Sequence, residues 1–277
     1  MLACEPYKQP PRKILPGTPS LAYTVHPGRG PHLALVHGFL SSSRQWTHNL
    51  GALSLVCRPV TIDLLGHGHS PAPPDEDQYH PSVYVNALDQ IRQKLKIQHW
   101  FLCGYSLGAG ITVRYAIKHS DHVLGHLFTN SSSGFATAKQ QQAWREDAVH
   151  TAPKILQAGA AAIERIPVHP KHAKQLPQDI YDELLADAER LSPVGIANTL
   201  LATIPDASVR RIAHKNRRPA LLCVGLKESR FAALKTWALQ HMPYLDSVEL
   251  NTGHAVNMQD SAAFNQAACN FIASHTP

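Results

Sequence analysis

The chain has 277 residues, 44% of them hydrophobic and 17% charged, enough to bury roughly three quarters of its unfolded surface, which excludes a disordered tail or a coiled coil. Its 26 Lys and Arg against 20 Asp and Glu leave a formal charge of +6, but the basic residues are scattered. The densest cluster, Lys215, Arg217 and Arg218, reads as solvated surface, so no nucleic-acid partner is expected.

Five Cys (Cys4, Cys57, Cys103, Cys223 and Cys269) are odd in number and far apart, and three lie in or beside apolar runs. They read as small buried hydrophobes in a reducing compartment. The first residues, MLACEPYKQPPRKIL, hold a lipobox-like string ending at Cys4, but no apolar stretch precedes it. No uninterrupted apolar run reaches the ~18 residues of a membrane helix, so no membrane span is expected, and the localisation expected is cytoplasmic.

Along the chain, strand-length apolar runs fall at Leu21 to Val25, Leu33 to Val36, Val60 to Asp63, Trp100 to Tyr105, Val123 to Phe128, Ala220 to Gly225 and Ser247 to Leu250. Near-continuous hydrophobicity in the middle runs implies burial on both faces, as in a parallel sheet. Helical spacing links Tyr84, Leu88, Ile91 and Leu95 after Pro81, and Phe264, Ala268 and Phe271 after Ser261. The alternation is that of an α/β fold with helices on both sides of the sheet. It lapses from Phe135 to about Arg211, where Ala-, Gln- and Leu-rich stretches are separated by Pro153, Pro167, Pro170, Pro177, Pro193 and Pro205. An all-helical insertion between two strands is best read as a cap, giving a core of residues 1–134 and 212–277 and a cap of 135–211.

The sharpest local feature is Gly104-Tyr105-Ser106-Leu107-Gly108, between the run HWFLC and the helix-compatible AGITVRYAIKH. Such a turn sets a Ser hydroxyl at the carboxyl edge of the sheet, where the next helix aims its free N–H groups. An ordinary βα turn containing a Ser has the same appearance. A nucleophile also needs a base, and the base an orienting acid. His254 follows the run SVEL, and Glu228 follows ALLCVG, in the order Ser, acid, His. One crossover separates Glu228 from His254, so both side chains can emerge at the same sheet edge.

With His37-Gly38-Phe39, Asp63-Leu-Leu-Gly66-His67-Gly68-His69-Ser70, the Gly104 to Gly108 turn, Gly225-Leu-Lys-Glu228 and Gly253-His254, the sequence resembles the α/β-hydrolase superfamily from about His32 to Ile272. The resemblance implies a mostly parallel sheet flanked by helices, with oxyanion-binding N–H groups at Phe39 and Leu107. HGFLSSSRQW, and GLKESRF with GHAVNMQ, are similar to the menaquinone-pathway lyases that eliminate pyruvate within this fold. Those lyases usually carry Asp where this chain has Glu228, and a basic residue where it reads Asn130-Ser-Ser-Ser-Gly-Phe.

The expectation is an α/β-hydrolase fold with a helical cap, acting as a serine hydrolase on a carboxylic ester or similar acyl substrate with hydrophobic parts. Ser106 is the nucleophile, His254 the base, Glu228 the acid, and Phe39 and Leu107 the oxyanion hole. Two rivals stand beside it: a lyase or carbon–carbon bond hydrolase using the same pair, and a ligand-binding receptor with little turnover. His67-Gly-His69 near Asp63 has metal-ligand spacing but lies in a loop the resemblance explains, so no metal is expected. His169, His172, Lys171 and Lys174 form a basic patch in the cap. Gly108-Ala-Gly110 completes no dinucleotide fingerprint, and no cofactor is expected.

Overall fold

The apolar runs pair as strands of one eight-stranded sheet in a computed structural model, which describes residues 10–17 and 19–277; Cys4 lies outside the described residues. In chain order the strands are β1 (Lys13–Ile14), β2 (Ala22–Val25), β3 (His32–Val36), β4 (Arg58–Ile62), β5 (Trp100–Gly104), β6 (Val123–Thr129), β7 (Ala220–Gly225) and β8 (Leu245–Leu250). Their spatial order is β1-β2-β4-β3-β5-β6-β7-β8. The β1–β2 and β2–β4 pairs are antiparallel, and every pair from β4 through β8 is parallel.

The helices are α1 (Thr47–Leu53), α2 (Pro81–Lys94), α3 (Leu107–Lys118), α4 (Ala138–Ala158), α5 (Ala160–Ile163), α6 (Gln178–Ala188), α7 (Pro193–Asn198), α8 (Ala232–His241), α9 (Val256–Gln259) and α10 (Ser261–His275). Helix α2 starts where Pro81 supplies a preset φ and His80 Nδ1 accepts the Ser82 N–H. It buries Tyr84, Val85, Leu88 and Ile91 with α3 against one face of the sheet, while Trp46 in the turn before α1, Leu50 of α1, and Phe264 and Phe271 of α10 cover the other. Covered on both sides, β5 and β7 are buried at every position, hence their unbroken apolar runs. Each large side chain taken fully from water there contributes about 1.5–3 kcal/mol.

The edges explain what the sequence pattern passes over. Strand β1 has only two residues, both exposed, so it carries no apolar signal. At the other edge β8 exposes Asp246 and Glu249, charges that discourage pairing with a further strand. Cys57, Cys103 and Cys223 are buried and unpaired, and Cys269 is half-buried.

Between β6 and β7 the described residues contain no strand. One difference from the sequence pattern is that α4 runs through Pro153 instead of ending there. Proline removes one helical hydrogen bond, but Ala152 and Ile155 on either side are both buried and anchor the two halves. Within the insertion, residues 204–211 form turns and loop and not helix. Ala152, Ile155, Ile163, Leu191, Ile196 and Ala197 gather around Leu40, with Phe39 packed on the same cluster. Polar ties join the insertion to the loops beneath it: Ser42 Oγ donates to Asp187 Oδ2 at 2.6 Å, and Thr203 Oγ1 to the Tyr79 carbonyl at 2.6 Å.

The fold also buries histidines as neutral rings. Burial and the nearby Arg12 charge pull His26 down to about 4. Burial and His37 pull His67 down to about 3, and burial pulls His126 down to about 4 against the hydrogen bond its Nε2 donates to Asn216 Oδ1. The unfolded chain takes up these protons below about pH 6.5, and the folded chain does so only near pH 3–4. Stability is therefore full above pH 6.5 and falls through that window, by about 1.4 kcal/mol per pH unit for each imidazole. Urea midpoints are expected to drop steeply from pH 7 to pH 4.5; an unchanged midpoint would contradict the burial.

Candidate active site

Ser106 sits at the junction of β5 and α3 with φ 52° and ψ −112°, a conformation that side chains other than glycine rarely adopt. Its backbone is held from both sides: Ser106 N–H donates to Thr129 Oγ1 at 3.2 Å, and Ser131 Oγ donates to the Ser106 carbonyl at 2.6 Å. The flanking glycines serve close approach and not φ. A Cβ on Gly104 would strike Thr112 and the Gly108 carbonyl, and one on Gly108 would strike the carbonyls of Val36 and His37. The turn can be this tight only because both positions lack a side chain.

Parallel strands deliver the other two groups to the same edge. Glu228 leaves the end of β7 and His254 the end of β8. His254 Nε2 lies 2.9 Å from Ser106 Oγ, and His254 Nδ1 lies 2.8 Å from Glu228 Oε2. With the Nδ1 proton directed at the carboxylate, Nε2 is the acceptor for the Ser106 hydroxyl. Gly253 N–H donates to Gln259 Oε1 at 2.7 Å, which fixes the loop carrying His254, and the Tyr105 ring meets the imidazole edge-on at 5.4 Å.

The Glu228 side chain is only 10% exposed, against 35% for His254. Burial pushes its carboxyl upward, but hydrogen bonds and charge from His254, the Asn130 amide and Arg230 outweigh that and hold it below the usual value. The proton thus stays on the imidazole side of the pair. Asp246, the nearest competing carboxylate in sequence, is exposed near the start of β8, at the far edge of the sheet.

Leu107 belongs to a buried apolar cluster against which Phe39 packs. A Cβ placed on Gly38 would stand 3.1 Å from Ser106 Cβ, so Gly38, the residue before Phe39, lies against the serine. The neighbouring amides are all engaged: Gly38 N–H with Gln45 Oε1, Leu40 N–H with His67 Nε2, Ser106 N–H with Thr129, and Gly108 N–H with the Tyr105 carbonyl. Among the described residues the Phe39 and Leu107 N–H groups have no such acceptor. Two free donors beside a serine at a helix N-terminus favour negative charge developing there.

The loop after β4 is organised by hydrogen bonds to its own backbone. Asp63 Oδ1 accepts Ser43 N–H at 2.8 Å and Oδ2 accepts His69 N–H at 3.1 Å; burial raises its carboxyl, but these bonds and the His37 charge lower it on balance. His67 is fully buried, with Nδ1 donating to the Leu65 carbonyl and Nε2 accepting from Leu40, so both nitrogens serve the loop that carries Phe39. Among the described residues no group of three or more His, Cys, Asp or Glu could hold a metal ion. In the insertion, Lys171 pairs with Glu164 at 2.8 Å and His172 Nε2 meets the Glu164 carbonyl at 2.9 Å, so that basic patch is partly neutralised within itself. No helix among the described residues is long and apolar enough to cross a membrane.

Sequence reasoning did not single out the supports of this site: Thr129, Asn130, Ser131 and Gln259. The one signal for the first three is a polar run placed directly after an apolar strand.

The profile of the alpha/beta hydrolase fold family matches residues 31–166. Over 256 residues the chain is 25% identical to a Bacillus subtilis protein named "Putative 2-succinyl-6-hydroxy-2,4-cyclohexadiene-1-carboxylate synthase", covering 90% of this chain and 92% of that one. Among solved structures, MenH from S. aureus superposes with a TM-score of 0.82 at 23% identity, covering 92% of this chain and 99% of that one. The enol-lactonase of Burkholderia xenovorans LB400 gives 0.79 at 23% identity, with 95% and 100% covered. What these proteins share with the chain is a fold, and that fold is the α/β-hydrolase fold.

Proposed function

We propose that the chain is a serine hydrolase that cleaves a carboxylic ester or similar acyl substrate through an acyl-enzyme on Ser106. The observation that carries the reading is the continuous hydrogen-bonded line from Ser106 Oγ through His254 to Glu228, 2.9 Å and 2.8 Å long in its two steps. Ser106 Oγ attacks the carbonyl carbon while His254 Nε2 takes its proton. The carbonyl oxygen, now negative, receives the Phe39 and Leu107 N–H groups. The imidazolium, steadied by Glu228, returns the proton to the leaving alcohol; water then repeats the sequence to release the acid.

The helical insertion of 135–211 acts as a cap in this reading. Its apolar cluster reaches Phe39 and Leu40, which places hydrophobic surface beside the oxyanion-binding peptide and favours acyl substrates with hydrophobic parts. The enol-lactonase among the structural neighbours is in keeping with attack on an ester-like carbonyl.

A second reading is favoured by the nearly full-length likeness to the Bacillus subtilis synthase. There Ser106 and His254 act as a proton-abstracting pair in an elimination, with the same two N–H groups holding an enolate oxygen. One experiment separates the two. A fluorophosphonate probe is expected to label Ser106, and short p-nitrophenyl esters to be turned over with a burst of alcohol from acyl-enzyme. Labelling without ester turnover would favour the elimination, and no labelling would remove the activated nucleophile altogether.

A further inference from the structure

Three consecutive buried residues at the carboxyl end of β6 reach both of its neighbours in the sheet. Thr129 and Ser131 grip the backbone of Ser106, one accepting its N–H at 3.2 Å and the other donating to its carbonyl at 2.6 Å. Ser131 Oγ is held in turn by the Gly134 N–H at 2.9 Å. Asn130, between them, reaches the opposite way, toward the end of β7 and the loop after it. Its Nδ2 donates to Glu228 Oε2 at 2.8 Å and to the Gly225 carbonyl at 3.2 Å, and its Oδ1 accepts the Gly225 N–H at 3.2 Å. All three are 0% exposed.

We propose that Thr129, Asn130 and Ser131 form one clamp that sets the spacing of nucleophile and acid, with Asn130 the positioning residue that aims the Glu228 carboxylate at His254. The inference rests on the proposed roles of Ser106, His254 and Glu228.

The chemistry of the amide supports it. The reciprocal bonds with Gly225 fix which end of Asn130 is the donor, because a flipped amide would set Oδ1 against the carboxylate and its NH₂ against the Gly225 N–H. The donor therefore always faces Glu228. A glutamate has one more rotatable bond than an aspartate, and pinning Oε2 between His254 Nδ1 and Asn130 Nδ2 removes that freedom. On the other side, a serine held at φ 52° is strained, and the strain persists only where neighbours over-determine the backbone, as Thr129 and Ser131 do. The charged and titratable groups facing the carboxylate are His254 from the loop after β8, Tyr105 from the serine turn and Arg230 from its own loop. Asn130 is the neutral donor that completes the set.

The test compares wild type, Asn130→Ala and Asn130→Asp as full chains. The Glu228 carboxyl is titrated by carbon-13 NMR in the unliganded protein, assigned by its loss in Glu228→Gln. The pH dependence of fluorophosphonate labelling and of p-nitrophenyl acetate hydrolysis is measured alongside. Asn130→Ala is expected to raise the carboxyl midpoint by about one pH unit and to slow labelling about 10-fold, with KM little changed. Asn130→Asp, isosteric and so least disturbing to the fold, is expected to raise it further, since two carboxylates at this distance do not both ionise. Thr129→Ser, which keeps the hydroxyl, is expected to label as wild type does, and Thr129→Val to label slowly. A Glu228 midpoint unchanged in both Asn130 variants, or rate losses with the pH dependence intact, would overturn the proposal. If wild type neither labels nor hydrolyses the ester, the hydrolase reading falls, while the NMR titration still decides what Asn130 does.

Discussion

Ser106→Ala is expected to lower p-nitrophenyl ester turnover by several orders of magnitude. What remains should come from the oxyanion-binding N–H groups and substrate binding alone, roughly 10³–10⁴ over water. The substitution deletes one oxygen and one hydrogen bond, the 2.9 Å contact with His254, and leaves the backbone bonds of Ser106 to Thr129 and Ser131 in place. The fold should therefore survive, and the φ of 52° remains as awkward for alanine as for serine. Ser106→Gly supplies the control: equally inactive, it should be more stable than Ser106→Ala by about 1 kcal/mol, because glycine takes that φ without cost. Wild-type-like turnover by a folded Ser106→Ala protein would sink the hydrolase reading. Equal melting of the alanine and glycine variants would show that the turn is not strained.

Much of this arrangement is legible in the sequence alone. The runs that become β5 and β7 are apolar at nearly every position because helices cover both faces, and a strand buried on both sides leaves that trace in sequence. Ser106, Glu228 and His254 are legible for a topological reason. Each follows an apolar run, and parallel strands send all such positions to one edge. Strand β1 leaves no trace, since two exposed residues are held only by pairing with β2. Pro153 misleads, because a helix packed through Ala152 and Ile155 tolerates the lost hydrogen bond. The supports of the site are illegible for another reason. Thr129 reaches back 23 residues to Ser106, and Asn130 reaches forward 98 to Glu228, contacts made by strand order and not by any local pattern. His67 shows the same limit: in sequence it has the spacing of a ligand, and in the fold both its nitrogens bind backbone.

Glu228→Gln is expected to cost roughly 10²–10⁴ in rate, by analogy with the amide substitution at the acid of serine proteases. Oε2 of Glu228 accepts from two donors at once, His254 Nδ1 and Asn130 Nδ2, each at 2.8 Å. A glutamine that turns its oxygen to this point still accepts both bonds but brings no charge to the imidazolium. One that turns its NH₂ there faces two donors and forces the His254 ring into the wrong tautomer. Either way the catalysed step loses stabilisation that the resting state does not need, so kcat should fall more than KM rises. Glu228→Asp keeps the charge and loses one methylene of reach, so it should retain more activity than Glu228→Gln. The 10% exposure of the Glu228 side chain leaves little room for water to substitute, and Asp246 is too far along β8 to take over. Full activity in Glu228→Gln would therefore show that another carboxylate serves His254, while leaving the Ser106 and His254 pair untouched.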